Sequence, residues 1–493
     1  MLFNSLHFLV FFLIVSIVYF SIQHKFRWFW LLAASCYFYM CFVPVYILIL
    51  AFTIIIDYFA GILIEQSSKL RRKKIFLIAS LTANIGVLCV FKYFNFINDN
   101  ITTLLGLGHI KNPVPALTIL LPLGLSFHTF QAISYNIEVY RGHQKAERHF
   151  GIYVLYVMFY PQLVAGPIER PQNLLHQFKE KHSFDYKTVS DGLKLMLWGF
   201  FKKVVIADRL AILVNQVYDH PKDYKGISLI IATVLFAFQI FCDFSGYSDI
   251  AIGAAKVMGF KLMTNFNKPY FSKSIDEFWK RWHISLSTWF KDYLYIPLGG
   301  NRVPVPRWYL NLMIVFLLSG LWHGANFTFI IWGTLHGLFL IANIILKKPI
   351  TLFYKHSGLQ RFPGIKKVLQ IIVTFCFVCF AWIFFRSPDL HVAWYVCTHL
   401  FSGINNDFLQ IMNNGVARNH ILFLDKNYRI LIVGLAFVII MESVHLYIGH
   451  KNIIEVVSCK PQWMRWLIYY TVVMAIVFFG VYENAPQFIY FQF

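Results

Sequence analysis

One histidine of this chain lies in an unusual environment. His323 is part of 318-LSGLWHGANFTFIIWGTLHG-337, where most of its neighbours are apolar. An ionisable residue at membrane depth is a functional candidate, because placing it there is energetically expensive. A neutral imidazole can take the proton of an alcohol or sugar hydroxyl that attacks a thioester. The alternative is a structural histidine that forms a hydrogen bond between helices, and the residues alone leave both interpretations open.

A second histidine lies in a segment rich in tryptophan and in basic residues, 278-FWKRWHISLSTWFKDYLYIPLGGNR-302. Trp279 and His283 are four residues apart, so they share one face if this segment is a helix. Trp282 directly precedes this histidine. Tryptophan and lysine are also typical of a helix that lies at the membrane surface. His283 is therefore either a second catalytic candidate or part of an interfacial helix.

A third histidine, His336, follows His323 by thirteen residues. On one continuous helix this spacing separates the two rings by about 20 Å, too far for both to act on one bond. A break at Gly324 to Asn326 would change this, and without such a break His336 is better interpreted as structural. The spacings between the three histidines do not match those of zinc sites. The sequence therefore predicts no metal.

Polar residues also interrupt the apolar run 238-FQIFCDFSGYSDIAIG-253. Asp243, Ser245 and Asp249 are among them. Carboxylates near membrane depth are costly, so the two aspartates are expected to line a water-filled tunnel or to pair with a Lys or Arg of another helix. Glu169, in 159-FYPQLVAGPIERP-171, lies at a turn near the membrane edge. For these residues a structural role is favoured over a chemical one.

The elements that carry these residues are predicted to be transmembrane helices. Hydrophobic residues make up 58% of the 493 positions and charged residues only 14%, whereas a soluble domain has about 25% charged residues. The apolar runs are continuous and do not alternate, which favours helices over strands. Runs of roughly 20 apolar residues predict an all-α polytopic membrane protein with about 11 to 13 spans and some re-entrant segments. Clear candidates centre near residues 15, 37, 54, 85, 125, 196, 237, 315, 335, 377, 440 and 473.

Basic residues exceed acidic ones by 44 to 23, for a formal charge of +21. They form short clusters between apolar runs, as in 24-HKFR-27, 69-KLRRKK-74 and 201-FKK-203, which is the pattern of cytoplasmic loops and not of a nucleic-acid-binding surface. The first two clusters are separated by two spans and therefore lie on the same side. This predicts an extracytoplasmic N-terminus. Residues 1–5 contain no Lys or Arg, so the first span is expected to be retained and not cleaved as a signal peptide.

Taken together and in order, four motifs resemble the membrane-bound O-acyltransferase (MBOAT) family: 159–171, 238–253, 278–302 and 319–337. The resemblance extends over nearly the whole chain. It is greatest to the bacterial branch that O-acetylates polysaccharides such as alginate or peptidoglycan. It implies a single membrane domain over residues 1–493, with N-terminal spans in 1–150, a motif-bearing catalytic core in 151–345 and C-terminal spans in 346–493.

The resemblance also implies roles for single residues. His323 matches the near-invariant histidine of the family, and His283 matches a position where eukaryotic relatives commonly have Asn. A tunnel through the membrane is expected to meet at these two residues. The residues expected to line or support it are Trp279, Trp282, Asp243, Ser245, Asn326 and His336.

The activity implied is transfer of acetyl from cytoplasmic acetyl-CoA across the bacterial cytoplasmic (inner) membrane to a surface polysaccharide. No bound cofactor is expected. No extracytoplasmic catalytic domain is visible in the chain, which fits a separate periplasmic or extracellular SGNH-type partner. Tyr490, in 488-FIYFQF-493, is either an acyl relay or part of an aromatic plug at the membrane interface.

Two other functions are compatible with parts of this pattern. One is D-alanyl transfer to teichoic acid by a related branch of the family. The other is a transporter or flippase that uses the buried histidines and carboxylates as a proton relay. Transporters of that kind usually contain internal repeats with broken helices in matching halves, and no repeat is visible here. The acceptor glycan is not specified by the sequence.

Overall fold

A computed structural model describes residues 1–118, 122–164, 166–449, 451–482 and 487–489. Within these residues every regular element is helical and no strand occurs, which confirms the all-α prediction. The helices of the first half are α1 (Leu6–Ser21), α2 (His24–Met40), α3 (Ile47–Gln66), α4 (Leu70–Leu88), α5 (Phe94–Leu107), α6 (Leu125–Arg141), α7 (Phe150–Met158), α8 (Tyr160–Leu163), α9 (Pro171–Leu174), α10 (Tyr186–Phe200), α11 (Asp208–Asp219) and α12 (Ile227–Val257).

The second half of the chain is built in the same way. Its helices are α13 (Ile275–Trp279), α14 (Ile284–Phe290), α15 (Val305–His323), α16 (Phe327–Ile345), α17 (Lys347–His356), α18 (Pro363–Arg386), α19 (Leu390–His399), α20 (Ile404–Asn413), α21 (Gly415–Phe423), α22 (Tyr428–Ile448), α23 (Ile453–Ser458) and α24 (Gln462–Phe479). Three π-helical segments, Cys89–Tyr93, Phe201–Ala207 and Lys291–Tyr295, join or extend these helices.

Eight helical stretches in the described part of the chain are long and apolar enough to cross a membrane. They are α3 with the turn before it, α4 continuing into α5, α12, α15, α16, α18, α22 and α24. Each of the twelve predicted span centres falls on a helix, the one near 125 on the first residue of α6. The polytopic architecture is therefore confirmed. The predicted total of spans would also include shorter helices such as α1, and that number stays a prediction.

The chain forms two compact units. The first comprises Met1–Met196 with Tyr247–Thr264, and the second comprises Leu197–Gly246 with Asn265–Phe493. The division of the chain at residues 150 and 345 rests on the motifs and stays a prediction.

The first unit contains a buried carboxyl group that is held by neutral donors. Asp57 on α3 accepts hydrogen bonds from Ser80 Oγ at 2.6 Å, from Asn84 Nδ2 at 2.9 Å and from Asn136 Nδ2 at 2.9 Å. A buried polar group is costly unless it is hydrogen-bonded. The three donors come from α4 and α6, so this network joins three helices of the unit.

In the second unit α15 and α16 form a closely packed helical hairpin. Gly320 and Gly333 face each other, and a Cβ on either one would collide with a backbone carbonyl oxygen of the other helix. Small residues allow such close approach between helices in membranes. The hairpin sets the relative position of the side chains that follow these glycines on each helix, including His323 and His336.

Candidate functional site

The segment around His283 folds differently from the helix expected for it. Helix α13 ends at Trp279, and His283 precedes α14 with a left-handed backbone (φ 43°). The expectation that Trp279 and His283 share one helix face is therefore wrong. The turn is stabilised by a hydrogen bond to an earlier part of the chain. The Ile284 N–H donates to the carbonyl oxygen of Asn265 at 2.9 Å.

The His283 ring is fully buried and its orientation is fixed by Asn265. Its Nδ1 lies 3.0 Å from Asn265 Oδ1, which also accepts a hydrogen bond from Ser285 Oγ at 2.9 Å. Since that oxygen is an acceptor, Nδ1 carries the proton and Nε2 carries the lone pair. Burial lowers the pKa of His283 to about 3. The ring is therefore a neutral base with a defined tautomer.

His323 is the last residue of α15 and is 4% exposed. Three aromatic rings surround its imidazole, with centroids 4.9 Å away for Trp322, 4.8 Å for Trp332 and 5.3 Å for Phe385. The Trp322 ring is in turn 6.0 Å from that of His283. The structure therefore brings the two predicted catalytic histidines to the same indole.

The helix breaks between His323 and His336. Such a break was the condition under which these two histidines could lie close together. Gly324 ends α15, and Asn326 begins α16 by accepting a hydrogen bond from the Thr328 N–H at 3.0 Å. Asn326 Nδ2 also donates to the carbonyl oxygen of Pro388 at 2.8 Å. Asn326 therefore caps the helix and ties it to a neighbouring loop.

This break turns the chain back, so that His336 lies beside the same indole as His323. Its ring centroid is 4.9 Å from that of Trp332, the indole that also contacts His323. Its Nδ1 accepts a hydrogen bond from Trp279 Nε1 at 3.3 Å. Trp282 is buried nearby and packs on Trp382 at 5.1 Å. Rings of imidazole and indole thus alternate through the core of the second unit.

Asp243 and Ser245 are paired with lysines from the π-helical segment before α11. Asp243 Oδ1 lies 2.7 Å from Lys203 Nζ, and Asp208 Oδ1 lies 2.8 Å from the same nitrogen. We call Lys203, Asp208 and Asp243 the buried triad. Ser245 Oγ accepts a hydrogen bond from Lys202 Nζ at 3.0 Å.

The lysines of 201-FKK-203 were expected in a cytoplasmic loop, and this prediction is wrong. Lys203 is 2% exposed and Lys202 is also buried. A short basic cluster looks the same in a loop and in a core, and only the partner carboxylates reveal the difference. Lys203, Asp208 and Asn265 are thus the structural partners that sequence reasoning missed.

Part of the C-terminal segment is anchored on the buried triad. The Ile489 N–H donates to Asp243 Oδ2 at 2.9 Å. Phe488 is buried, and its ring centroid is 5.8 Å from that of Phe244, which lies 4.6 Å from the His283 ring. The ring of Phe488 is therefore separated from that of His283 by one aromatic ring, Phe244. Tyr490 itself lies outside the described residues.

No group of three or more His, Cys, Asp or Glu side chains that could hold a metal ion occurs within the described ranges. What the second unit does supply is a neutral imidazole with a defined tautomer, a second imidazole enclosed by aromatic rings, and a buried carboxylate paired with a lysine. These groups suit proton transfer during acyl transfer.

Comparison with known proteins places this geometry in a family. The model of the MBOAT, membrane-bound O-acyltransferase family, matches residues 81–386, which include all three histidines. The "Probable alginate O-acetylase AlgI" of Pseudomonas aeruginosa is 39% identical over 82% of this chain and 75% of its own length. The "Peptidoglycan O-acetyltransferase" of Helicobacter pylori is 35% identical over 85% of this chain and 84% of its own.

A more distant relative is the "Teichoic acid D-alanyltransferase" of Bacillus subtilis, 29% identical over 58% of this chain and 73% of its own length. All three relatives are named as transferases of an acyl group. The predicted enzyme class, acyltransferase, is confirmed, as is the multi-pass membrane architecture. This chain belongs to the membrane-bound O-acyltransferase family.

Proposed function

We propose that this protein takes acetyl from cytoplasmic acetyl-CoA and passes it across the bacterial cytoplasmic membrane for O-acetylation of a surface polysaccharide. The observation that carries the proposal is the placement of His323 and His283 against one indole, Trp322, in the buried core of the second unit. Similarity to proteins named for alginate and peptidoglycan O-acetylation supports acetyl as the acyl group and a glycan as the final acceptor.

In this proposal His323 is the general base. Its imidazole takes the proton of the acceptor hydroxyl while the oxygen attacks the thioester carbonyl carbon. The carbon–sulfur bond then breaks, and the leaving thiolate takes the proton back from the imidazolium. The aromatic enclosure of His323 excludes water, which protects the thioester from hydrolysis.

His283 has a different task in this scheme. Its Nδ1–H donates to Asn265, so Nε2 is the hydrogen-bond acceptor of the ring. A fixed, neutral acceptor can hold an N–H or O–H group of the donor or the acceptor in place. We therefore assign His283 to positioning the reactants, with proton transfer left to His323.

We further propose that the acetyl group rests on Tyr490 before it leaves the membrane protein. The support is the anchoring of Ile489 on Asp243 and the packing of Phe488 on Phe244, which contacts His283. The phenol oxygen would form an ester with the acetyl carbon as the carbon–sulfur bond breaks. His323 would take the phenol proton and pass it to the departing sulfur, so coenzyme A would leave as the thiol. A separate SGNH-type protein would then carry the acetyl group to the glycan. In this proposal the N-terminus of the membrane protein lies on the extracytoplasmic side.

The experiment uses the purified full chain in proteoliposomes with [14C]acetyl-CoA. We expect release of free coenzyme A and a labelled peptide that contains Tyr490, and we expect Tyr490→Phe to abolish this label. Full acetylation of a glycan by Tyr490→Phe would contradict the relay but would leave the acyltransferase proposal standing. Absence of any turnover of acetyl-CoA, under conditions where a D-alanyl donor is used, would favour the teichoic acid branch instead.

A further inference from the structure

The second unit contains a large cavity beside the candidate site. Its volume is about 1060 Å³, and its lining comes from α13 to α18. This is at the upper end of ordinary ligand pockets, which measure about 300–1,000 Å³. Neither His283 nor His323 is among the residues that line it. The cavity is therefore a candidate binding site that the acyl-transfer chemistry does not require.

The charged residues of the lining are mostly basic. Five lysines border the cavity, whereas Asp276 is the one acidic residue among the described residues that do so. This carboxylate is paired with Lys280 at 2.5 Å. The other four lysines lie at or near helix ends: Lys273, Lys291, Lys347 and Lys366. An excess of cationic groups in the lining favours an anionic ligand group, above all a phosphate.

Most of the remaining lining is apolar, although polar side chains such as Ser287, Asn343, Gln370 and Thr374 also contribute to it. Leu312 and Phe316 of α15, Leu340 of α16 and Phe377 of α18 belong to it. Lys366 and Phe377 are eleven residues apart on α18, or about 16 Å along the helix axis. One leaflet of a hydrocarbon core about 30 Å thick has nearly this depth. The apolar wall therefore has the length of a lipid acyl chain in one leaflet.

We propose that this cavity binds one anionic phospholipid, with its phosphate at the lysines and its acyl chains along α15, α16 and α18. Basic pockets between transmembrane helices are typical sites for anionic headgroups. Coenzyme A also carries phosphates, but its polar pantetheine arm matches a mostly apolar lining less well than lipid acyl chains do. The positive-inside rule places such a lysine cluster at the cytoplasmic leaflet.

A lipid in this cavity would contact Trp279, which is joined to the candidate site by one hydrogen bond. Trp279 forms part of the cavity wall, and its Nε1 donates to Nδ1 of His336. His336 packs on Trp332, which also packs on His323. An acyl chain against the indole of Trp279 therefore supports the packing around the two histidines.

The test is native mass spectrometry of the full-length protein with added dioleoyl phosphatidylglycerol or dioleoyl phosphatidylcholine. We expect one tightly retained phosphatidylglycerol. The double variant Lys347→Gln/Lys366→Gln removes two cationic groups and is expected to weaken retention about thirtyfold. Ala342→Trp fills the cavity from α16 without changing charge and is expected to reduce retention as well.

The control is Lys69→Gln/Lys74→Gln, which removes the same charge from exposed positions of the first unit. This control is expected to retain the lipid as the unmodified protein does. Equal retention in all four proteins would overturn the proposal. It would also be overturned if Lys347→Gln/Lys366→Gln kept its phosphatidylglycerol but required tenfold more acetyl-CoA, since the cavity would then bind the donor.

Discussion

Both units of this protein bury a carboxylate, and they satisfy it in different ways. In the first unit Asp57 is surrounded by a serine hydroxyl and two asparagine amides. In the second unit Asp243 is paired with Lys203, which also pairs with Asp208. The neutral network joins helices only. The charged one carries an extra carboxylate oxygen that accepts the Ile489 N–H, so it also holds the C-terminal segment beside the ring that contacts His283.

The difference implies that the two networks respond differently to loss of one member. When one member of a neutral network is removed, a hydrogen bond is lost. When one member of a buried ion pair is removed, the other charge stays buried without compensation. The second unit should therefore be the more sensitive one, both in stability and in any activity that depends on the C-terminal segment.

Among the stability variants, Lys203→Met is expected to lower the free energy of unfolding the most. It leaves two buried carboxylates without their cation, which costs about 3–5 kcal/mol. Unfolding of the protein in detergent, followed by circular dichroism, measures this loss. The added change Asp208→Asn should recover part of it. A stability within about 1 kcal/mol of the unmodified protein would show that the triad is not the charged centre we describe.

A smaller effect, with a defined pH dependence, is expected in the first unit at Glu169. Burial raises the pKa of this carboxyl to about 7, above its unfolded value of 4.5. The folded state therefore binds the proton more tightly, and its stability falls as pH rises from about 4.5 to about 7. Glu169→Gln should be more stable than the unmodified protein by about 3 kcal/mol at pH 8. At pH 4 the two proteins should unfold alike.

Burial of His283 in the second unit should make the stability of the protein depend on pH in the opposite direction. Its folded pKa of about 3 lies below the unfolded value of 6.5, so only the unfolded state takes up a proton between these values. Stability should fall as pH decreases below about 6.5, by about 2 kcal/mol at pH 5. His283→Asn should lack this dependence, and asparagine tolerates the left-handed backbone at this position. An unchanged pH slope in that variant would contradict a buried neutral imidazole.

The smallest effect is expected for Asp57→Asn. All three donors bond Oδ1, and Asn84 Nδ2 also reaches Oδ2 at 2.9 Å. The amide nitrogen that replaces Oδ2 cannot accept this second bond, and its loss is expected to cost about 1 kcal/mol. Thermal unfolding should show this modest loss, with acetyl-CoA turnover unchanged. A loss as large as that of Lys203→Met would remove the distinction between the two units.

Much of the fold follows from the sequence because lipid imposes a simple rule. Continuous apolar runs must be helices, and each predicted span centre indeed falls on one. Order in the chain also places His323 and His336 on either side of a break at Gly324, since glycine and Asn326 are typical helix-end residues.

What the sequence did not show depends on partners far away in the chain. The turn at His283 exists because Asn265, eighteen residues earlier, binds its ring and the next backbone N–H. The burial of Lys203 depends on Asp243, forty residues later in the chain. Neither pairing can be recognised from the neighbouring sequence. The segment around His283 would also suit a helix at the membrane surface, and the segment around Lys203 would also suit a basic loop.

The central claim is that His323 performs the acyl transfer, and one measurement tests it most directly. Turnover of [14C]acetyl-CoA is compared between the unmodified protein, His323→Ala and His391→Ala, an exposed histidine at the start of α19. General-base catalysis contributes about 10²–10⁴-fold, so His323→Ala should lose at least a hundredfold in rate. His391→Ala should retain full turnover. Normal turnover by correctly folded His323→Ala would contradict the account.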